Sequence, residues 1–258
     1  MSKGKSVNLV LSGGGMRGLA HIGVLKELEK NNIRVRMIAG SSSGAIIGAL
    51  YASCLDAKNV EDFIKALSFY KLPDFSWSSQ GLMKGSNIRK YMQEFMGVET
   101  FADLKIPLVV NATDLVSGKQ VVFKKGNVLD AVRASIGYPG LLTPVSIGDR
   151  LLVDGGIVNP VPVDLISKSG VTVVSDVTVN LSKSLSKSPH MVDVLSRSVS
   201  LLQRELIATK LSSSGRSVVY VQPDTHEWDL FMIRNDPRIV HRGELAMQKS
   251  MKKLLRLL

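Results

Sequence analysis

Within its first 55 residues the chain twice runs from an apolar strand pattern, through a turn of glycine and serine, into a helical pattern. Residues 7–11, broken only by Asn8, stop at Ser12-Gly13-Gly14-Gly15, after which Leu19, Ile22, Leu25 and Leu28 fall on one helical face. Asn31 and Asn32 close that helix. Residues 33–39 read as a second strand, 40–44 as a small-residue turn, and 45–55 as a helix apolar on every side, hence buried. Two such units in succession call for right-handed crossovers and a mostly parallel sheet whose two faces are covered by helices. The expected fold is α/β, a three-layer sandwich with a mostly parallel central sheet and helices on both faces.

The rest of the chain suits that plan. Strand patterns recur at 108–112, 120–123, 150–153, 171–179 and 217–221, and helical ones at 128–136 and 191–211. Residues 73–86, rich in Ser, Gly and aromatics, read as a long surface loop that could cover a site, and 182–189 as a mobile one. At 258 residues, 45% hydrophobic and 21% charged, the chain can bury a large aliphatic core, which excludes disordered and low-complexity classes. Lys and Arg total 33 against 22 Asp and Glu, a net charge of +11 that attracts anionic partners. Cys54 is the sole cysteine, so neither an internal disulfide nor a cysteine zinc cluster is available. The N-terminus lacks the long apolar core of a signal peptide, and the apolar stretch at 45–55 is too short to span a bilayer. A cytoplasmic location is expected.

Three short motifs could carry chemistry. Gly40-Ser41-Ser42-Ser43-Gly44 fits G-x-S-x-G, and it lies between a strand and a buried helix, as a nucleophile elbow does. Gly40 and Gly44 would permit the close backbone approach such a turn needs, and the helix N-terminus would favour negative charge developing at Ser42. The competing reading is a turn in which Ser42 or Ser43 merely caps the helix. Gly13-Gly14-Gly15-Met16-Arg17-Gly18 satisfies G-x-G-x-x-G, but a dinucleotide site wants a carboxylate ending the second strand, and that strand ends in Ala39-Gly40-Ser41-Ser42. The other use of the loop is an oxyanion site built from the N–H groups of Gly14 and Gly15, with Arg17 adding charge or serving only structure. Third, Asp154 ends an apolar run and precedes Gly155-Gly156, as a functional carboxylate at the strand-end rim or as an Asx-turn. No histidine has a motif around it. His21 sits on a helix, His190 beside Pro189, and His226 and His241 stand in the order that would let either complete a Ser-His-Asp triad.

Taken together, the glycine loop, G-x-S-x-G and D-G-G in this order resemble the patatin-like phospholipase family. The resemblance runs from about residue 7 to about 221 and takes in Asn111-Ala112-Thr113-Asp114, Arg133-Ala134-Ser135 with Pro139 and Pro144, and Asn159-Pro160-Val161-Pro162. It implies a catalytic dyad without histidine: Ser42 as nucleophile, Asp154 as its base, and Gly13, Gly14, Gly15 and Arg17 in the oxyanion loop. It also implies a lipid acyl hydrolase of phospholipase A or lysophospholipase type, acting on a lipid or phospholipid, with neither metal nor cofactor. Ser41 and Ser43 depart from the residues common beside the nucleophile in that family, and nothing after Thr225 matches a family motif. A triad esterase and a non-catalytic lipid-binding or regulatory protein of the same fold are the alternatives.

Residues 1–225 are expected to form the catalytic domain and 226–258 a C-terminal extension within the same unit. In that extension Met247, Met251, Leu254, Leu255 and Leu258 recur at helical spacing among Lys249, Lys252, Lys253 and Arg256. Such a basic amphipathic helix either docks on the core or lies on an anionic membrane surface. Nucleic acid is not an expected partner, since no binding motif accompanies the charge. Oligomeric state leaves no mark on the sequence.

Overall fold

The first apolar run becomes strand β1 (Ser6–Leu11), followed by a 3-10 turn at Gly15–Leu19 and helix α1 (Ala20–Lys30). Strand β2 (Arg34–Ser41) runs past its apolar pattern, so Gly40 and Ser41 belong to the strand and helix α2 (Ser43–Cys54) starts one residue after Ser42. Next come α3 (Ala57–Ala66), β3 (Phe75–Ser78), β4 (Gly81–Met83), α4 (Ser86–Met96), β5 (Leu108–Asp114), β6 (Gln120–Phe123) and α5 (Val128–Ser135). Short strands β7 (Gly140–Leu142), β8 (Val145–Ile147) and β9 (Arg150–Val153) precede β10 (Thr172–Ser175), α6 (Met191–Ser212), β11 (Val218–Val221) and α7 (Pro237–Leu257). The computed structural model describes residues 4–67, 72–78, 80–178, 191–212, 217–228 and 236–258.

Among the described residues the main sheet has the order β11-β10-β1-β2-β5-β9-β8, with β6 also paired to β5. The five strands from β11 to β5 are parallel, while β6, β9 and β8 pair antiparallel. Parallel strands need cover on both faces, and alternation along each strand divides the interior in two. Leu9, Leu11, Ile38, Val110 and Val173 point into a large core shared with α1 to α5 and α7. Their neighbours Val10, Ala39, Val109 and Val174 meet a smaller core closed by Val161, Val163, Ile166 and Ile207 of α6. The fold is thus the expected α/β sandwich, with most of its helices on one side.

Two expectations change. Residues 73–86 are not a plain loop: they hold β3 and β4, which with β7 make a separate three-stranded sheet, paired Gly81 to Gly140 and Met83 to Leu142. The strand pattern at 171–179 ends at Ser175, since Asp176 to Thr178 leave the sheet while staying buried. Of the two readings of the C-terminal helix, docking is the one the fold uses: Met247, Met251 and Leu254 are buried in the large core, while Leu255 and Leu258 of the same stripe stay exposed. There α7 crosses α1 so closely that a Cβ on Gly23 or on Gly243 would lie 1.9 Å from a carbonyl oxygen of the other helix. No helix among the described residues is long and apolar enough to cross a membrane. The segment 182–189 and His190 lie outside the described residues.

Candidate active site

Ser42 sits alone in the turn between β2 and α2, at φ 52° and ψ −123°, a left-handed backbone that a non-glycine residue adopts only where its surroundings enforce it. Those surroundings are visible. A Cβ on Gly40 would come within 2.5 Å of the Gly44 carbonyl oxygen, and one on Gly44 within 2.3 Å of the Leu11 carbonyl oxygen. Both glycines let the start of α2 lie directly on β1 and β2. The Ser42 N–H donates to Oγ of Ser135, the last residue of α5, at 2.9 Å. Ser42 makes no side-chain cap on α2, so the helix-capping alternative for it is not what the fold uses.

Asp154 meets Ser42 by an unexpected route. Its strand, β9, runs antiparallel to β5 with Val153 opposite Thr113, so the chain descends from the rim toward the level of Asn111, which pairs with Ser41. The aspartate therefore does not follow a parallel strand end as Ser42 does. Its carboxylate is divided: Oδ2 accepts from Ser42 Oγ at 2.6 Å, and Oδ1 accepts from the Gly156 N–H at 2.7 Å. The second contact is an Asx-turn, so the structural and functional readings of this residue hold together. Its backbone is fixed by Thr113 Oγ1 donating to the Asp154 carbonyl at 2.9 Å and by its N–H donating to the Gly137 carbonyl at 3.0 Å. Burial pushes the Asp154 carboxyl up to about 6, against the two hydrogen bonds that favour its charge.

The glycine loop runs beside the serine, where a Cβ on Gly13 would stand 3.2 Å from Ser42 Cβ. The N–H of Gly13 donates to the Pro160 carbonyl at 3.2 Å, while those of Gly14 and Gly15 have no acceptor among the described residues. Arg17 is buried, its Nε donating to the Gly14 carbonyl at 3.3 Å and an Nη to the Thr178 carbonyl at 2.7 Å. It therefore clamps the loop to the segment after β10, and does not line the cavity beside Ser42. His21 supports the same loop from below. The Ser12 carbonyl can only accept, so His21 Nε2 carries the proton it donates at 3.0 Å, and Nδ1 accepts from Ser175 Oγ at 2.8 Å. Burial lowers this imidazole to about 4, which keeps it neutral. His226 and His241 are exposed, pair with Asp224 and Glu244, and line no part of the cavity, so the geometry assembles no triad from them.

Ser42, Asp154, Gly13, Gly14 and Gly15 open onto one cavity of about 260 Å³. Beyond them its walls are almost wholly apolar: Ile46, Ile47 and Leu50 of α2, Phe63 and Ile64 of α3, Ile88 and Met92 of α4, and Leu142 of β7. Pro73, Asp74, Met83 and Gly85 of the former loop region also line it, as do Ser200 and Gln203 of α6. Ser135 and Thr113 also join the site through side-chain contacts; both lie in stretches that the family resemblance takes in, but sequence reasoning assigned neither a role at the site.

A family model described as Patatin-like phospholipase matches residues 9–166. An uncharacterized NTE family protein of Mycobacterium tuberculosis is 37% identical over 166 residues, which are 63% of this chain and 28% of that protein. Lysophospholipase NTE1 of Candida glabrata is 32% identical over 166 residues, 62% of this chain and 10% of that protein. The chain thus spans a minor part of the length of these relatives. Of solved structures, VipD from Legionella pneumophila superimposes with a TM-score of 0.61 at 13% identity, covering 97% of this chain and 67% of its own. The type III effector protein ExoU does so with 0.53 at 18% identity, covering 97% and 53%. At such identities the two structures speak for the fold alone.

Proposed function

The chain belongs to the patatin-like phospholipase family, and on that premise we propose that it is a lipid acyl hydrolase with Ser42 as nucleophile and Asp154 as general base. The observation that carries this reading is the 2.6 Å hydrogen bond from Ser42 Oγ to a buried carboxylate, at the polar end of an apolar cavity. As Oγ attacks the acyl carbonyl carbon, its proton passes to Asp154 Oδ2, and the carbonyl oxygen becomes an oxyanion facing the N–H groups of Gly14 and Gly15. Collapse of the tetrahedral adduct breaks the ester C–O bond, and Asp154 returns the proton to the departing alcohol. A water then gives a proton to Asp154 as its oxygen bonds to the acyl carbon; collapse of this second adduct breaks the acyl–Oγ bond, Asp154 returns the proton to Ser42 Oγ, and the fatty acid is released. A carboxyl raised to about 6 suits both roles, since it is ionised at neutral pH yet basic enough to take a proton.

Substrates follow from the same site. The apolar walls take an acyl chain, and the ester's head group lies toward Ser200 and Gln203, the polar residues that α6 adds to the cavity. Lysophospholipase is the name borne by one relative, and we extend only its acyl-ester chemistry to this chain. The test is to treat the folded protein with a fluorophosphonate and map the adduct by mass spectrometry. A single adduct on Ser42, lost in Asp154→Asn and kept in His226→Ala and His241→Ala, is the expected result. An adduct that depends on either histidine would replace the dyad by a triad. No adduct on folded protein would turn the reading to a lipid-binding protein without turnover.

A further inference from the structure

We infer that the cavity face of α2 measures the acyl chain, accepting about ten carbons between Ser42 and Leu50, as its helical rise of about 1.5 Å per residue dictates. This rests on the acyl-hydrolase reading, and it adds the length class of the substrate.

The α2 residues that line the cavity are Ser43, Ile46, Ile47 and Leu50, at spacings of three, four and seven, so a single stripe of the helix forms one wall. From Ser42 to the level of Leu50 is eight residues of chain, or about 12 Å along the helix axis. An extended polypeptide advances about 3.4 Å over three bonds, close to 1.1 Å per bond, so 12 Å holds an extended chain of about ten bonds. The stripe then ends. One turn further on, Ser53 Oγ donates to the Leu50 carbonyl at 2.7 Å and Lys105 Nζ donates to the Cys54 carbonyl at 3.0 Å, and neither Ser53 nor Cys54 lines the cavity. Leu50 is fully buried. Phe63 of α3, which also lines the cavity, packs on Phe95 of α4 at a ring-centroid distance of 4.4 Å, so a chain that displaced it would have to move α3 against α4.

Each methylene that enters such a channel leaves water, which is worth about fourfold in affinity at most. The gain stops when the channel is full. The experiment has two arms. In the first, kcat/KM is measured on monomeric esters of one alcohol carrying saturated acyl chains from butanoyl to hexadecanoyl. In the second, free fatty acids of the same lengths displace a fluorescent fatty acid from the inactive Ser42→Ala protein. Both profiles should climb by about twofold to fourfold per methylene to a maximum near ten carbons and gain nothing beyond it. Ile46→Trp, which places an indole one turn from Ser42 on a half-buried position, should lower the decanoyl-to-butanoyl ratio at least tenfold. Affinity and rate that keep climbing to hexadecanoyl would overturn the inference, as would an unchanged ratio in folded Ile46→Trp. A fatty-acid optimum near ten carbons without hydrolysis of any ester would leave the measuring stripe standing and remove the hydrolase.

Discussion

At the scale of single residues, Asp154 carries the sharpest expectation, because one oxygen shapes the chain and the other faces the serine. Its carboxyl, raised by burial to about 6, loses its charge on acidification through that value. Hydrolysis of a soluble ester should therefore fall about tenfold per pH unit below about 6, with kcat/KM against pH as the measurement. Stability moves in the opposite sense. The folded protein holds a proton that the unfolded chain releases near its ordinary 3.8, so the contribution is intact below that value and is lost as pH rises to about 6. Above that the ionised, buried carboxylate disfavours the fold by about 3 kcal/mol, on the order of the shift itself. Asp154→Asn should then melt several degrees above the parent at pH 8 and close to it at pH 4, while hydrolysing nothing; a lower Tm at pH 8 would mean the carboxylate is well solvated after all. The site was partly legible at this scale. Ser42, Asp154 and the glycines announce themselves because each sits in a turn whose backbone demands a short pattern. Arg17 does not, since the same residue could face a substrate or, as found, hold the carbonyl of Gly14 in the loop and that of Thr178 after β10.

At the scale of elements, the elbow between β2 and α2 is held by a third element, since Ser135 at the end of α5 accepts the Ser42 N–H. Ser135→Ala leaves that N–H without its acceptor at a backbone already in the left-handed region, and an orphaned buried donor costs about 1–3 kcal/mol. Labelling of Ser42 by a fluorophosphonate should slow about tenfold, with Ser135→Thr restoring most of the rate; equal rates in all three proteins would leave α5 no part in the elbow. Ser135 lies 93 residues from Ser42, so no periodicity could reveal the pair. The same limit explains which elements the sequence declares. β1 and α2 are nearly continuous apolar runs, α1 repeats its apolar residues on one face and β2 turns apolar toward its end, with glycines in the turns between them, and these patterns are local. The strands β4 and β7 pair across some sixty residues, Gly81 with Gly140, and short strands have little pattern of their own. The helix α3 was open to reading from Asp56, whose side chain caps it by accepting the Asn59 N–H at 2.9 Å. The strand pattern at 171–179 overruns β10 because burial continues after pairing ends: Val177 packs against Gly14, and Thr178 offers its carbonyl to Arg17.

At the scale of the whole molecule, the C-terminal helix joins the site through α1. Helix α7 lies on α1 at Gly23 and Gly243, and Lys26 of α1 bridges Glu244 of α7 at 2.6 Å and Glu61 of α3 at 2.8 Å. Five residues before Lys26, α1 presents His21 to the Ser12 carbonyl and so to the base of the glycine loop. We propose on this ground that residues 226–258 unfold with the rest of the chain as one unit. Gly243→Ala tests it, because its Cβ would have to displace the Ala20 carbonyl oxygen, which it meets at 1.9 Å, and a backbone atom cannot rotate away as a side chain can. Overpacking of this kind costs about 1–3 kcal/mol and shifts backbone, here the first turn of α1. The variant should melt in a single transition at a lower temperature than the parent and should label more slowly at Ser42. Lys249→Ala, on an exposed position of the same helix, should alter neither. Two separate transitions in the parent, or a Gly243→Ala protein that melts early yet labels at the parental rate, would mean that the extension packs on the catalytic domain without being part of what holds its site.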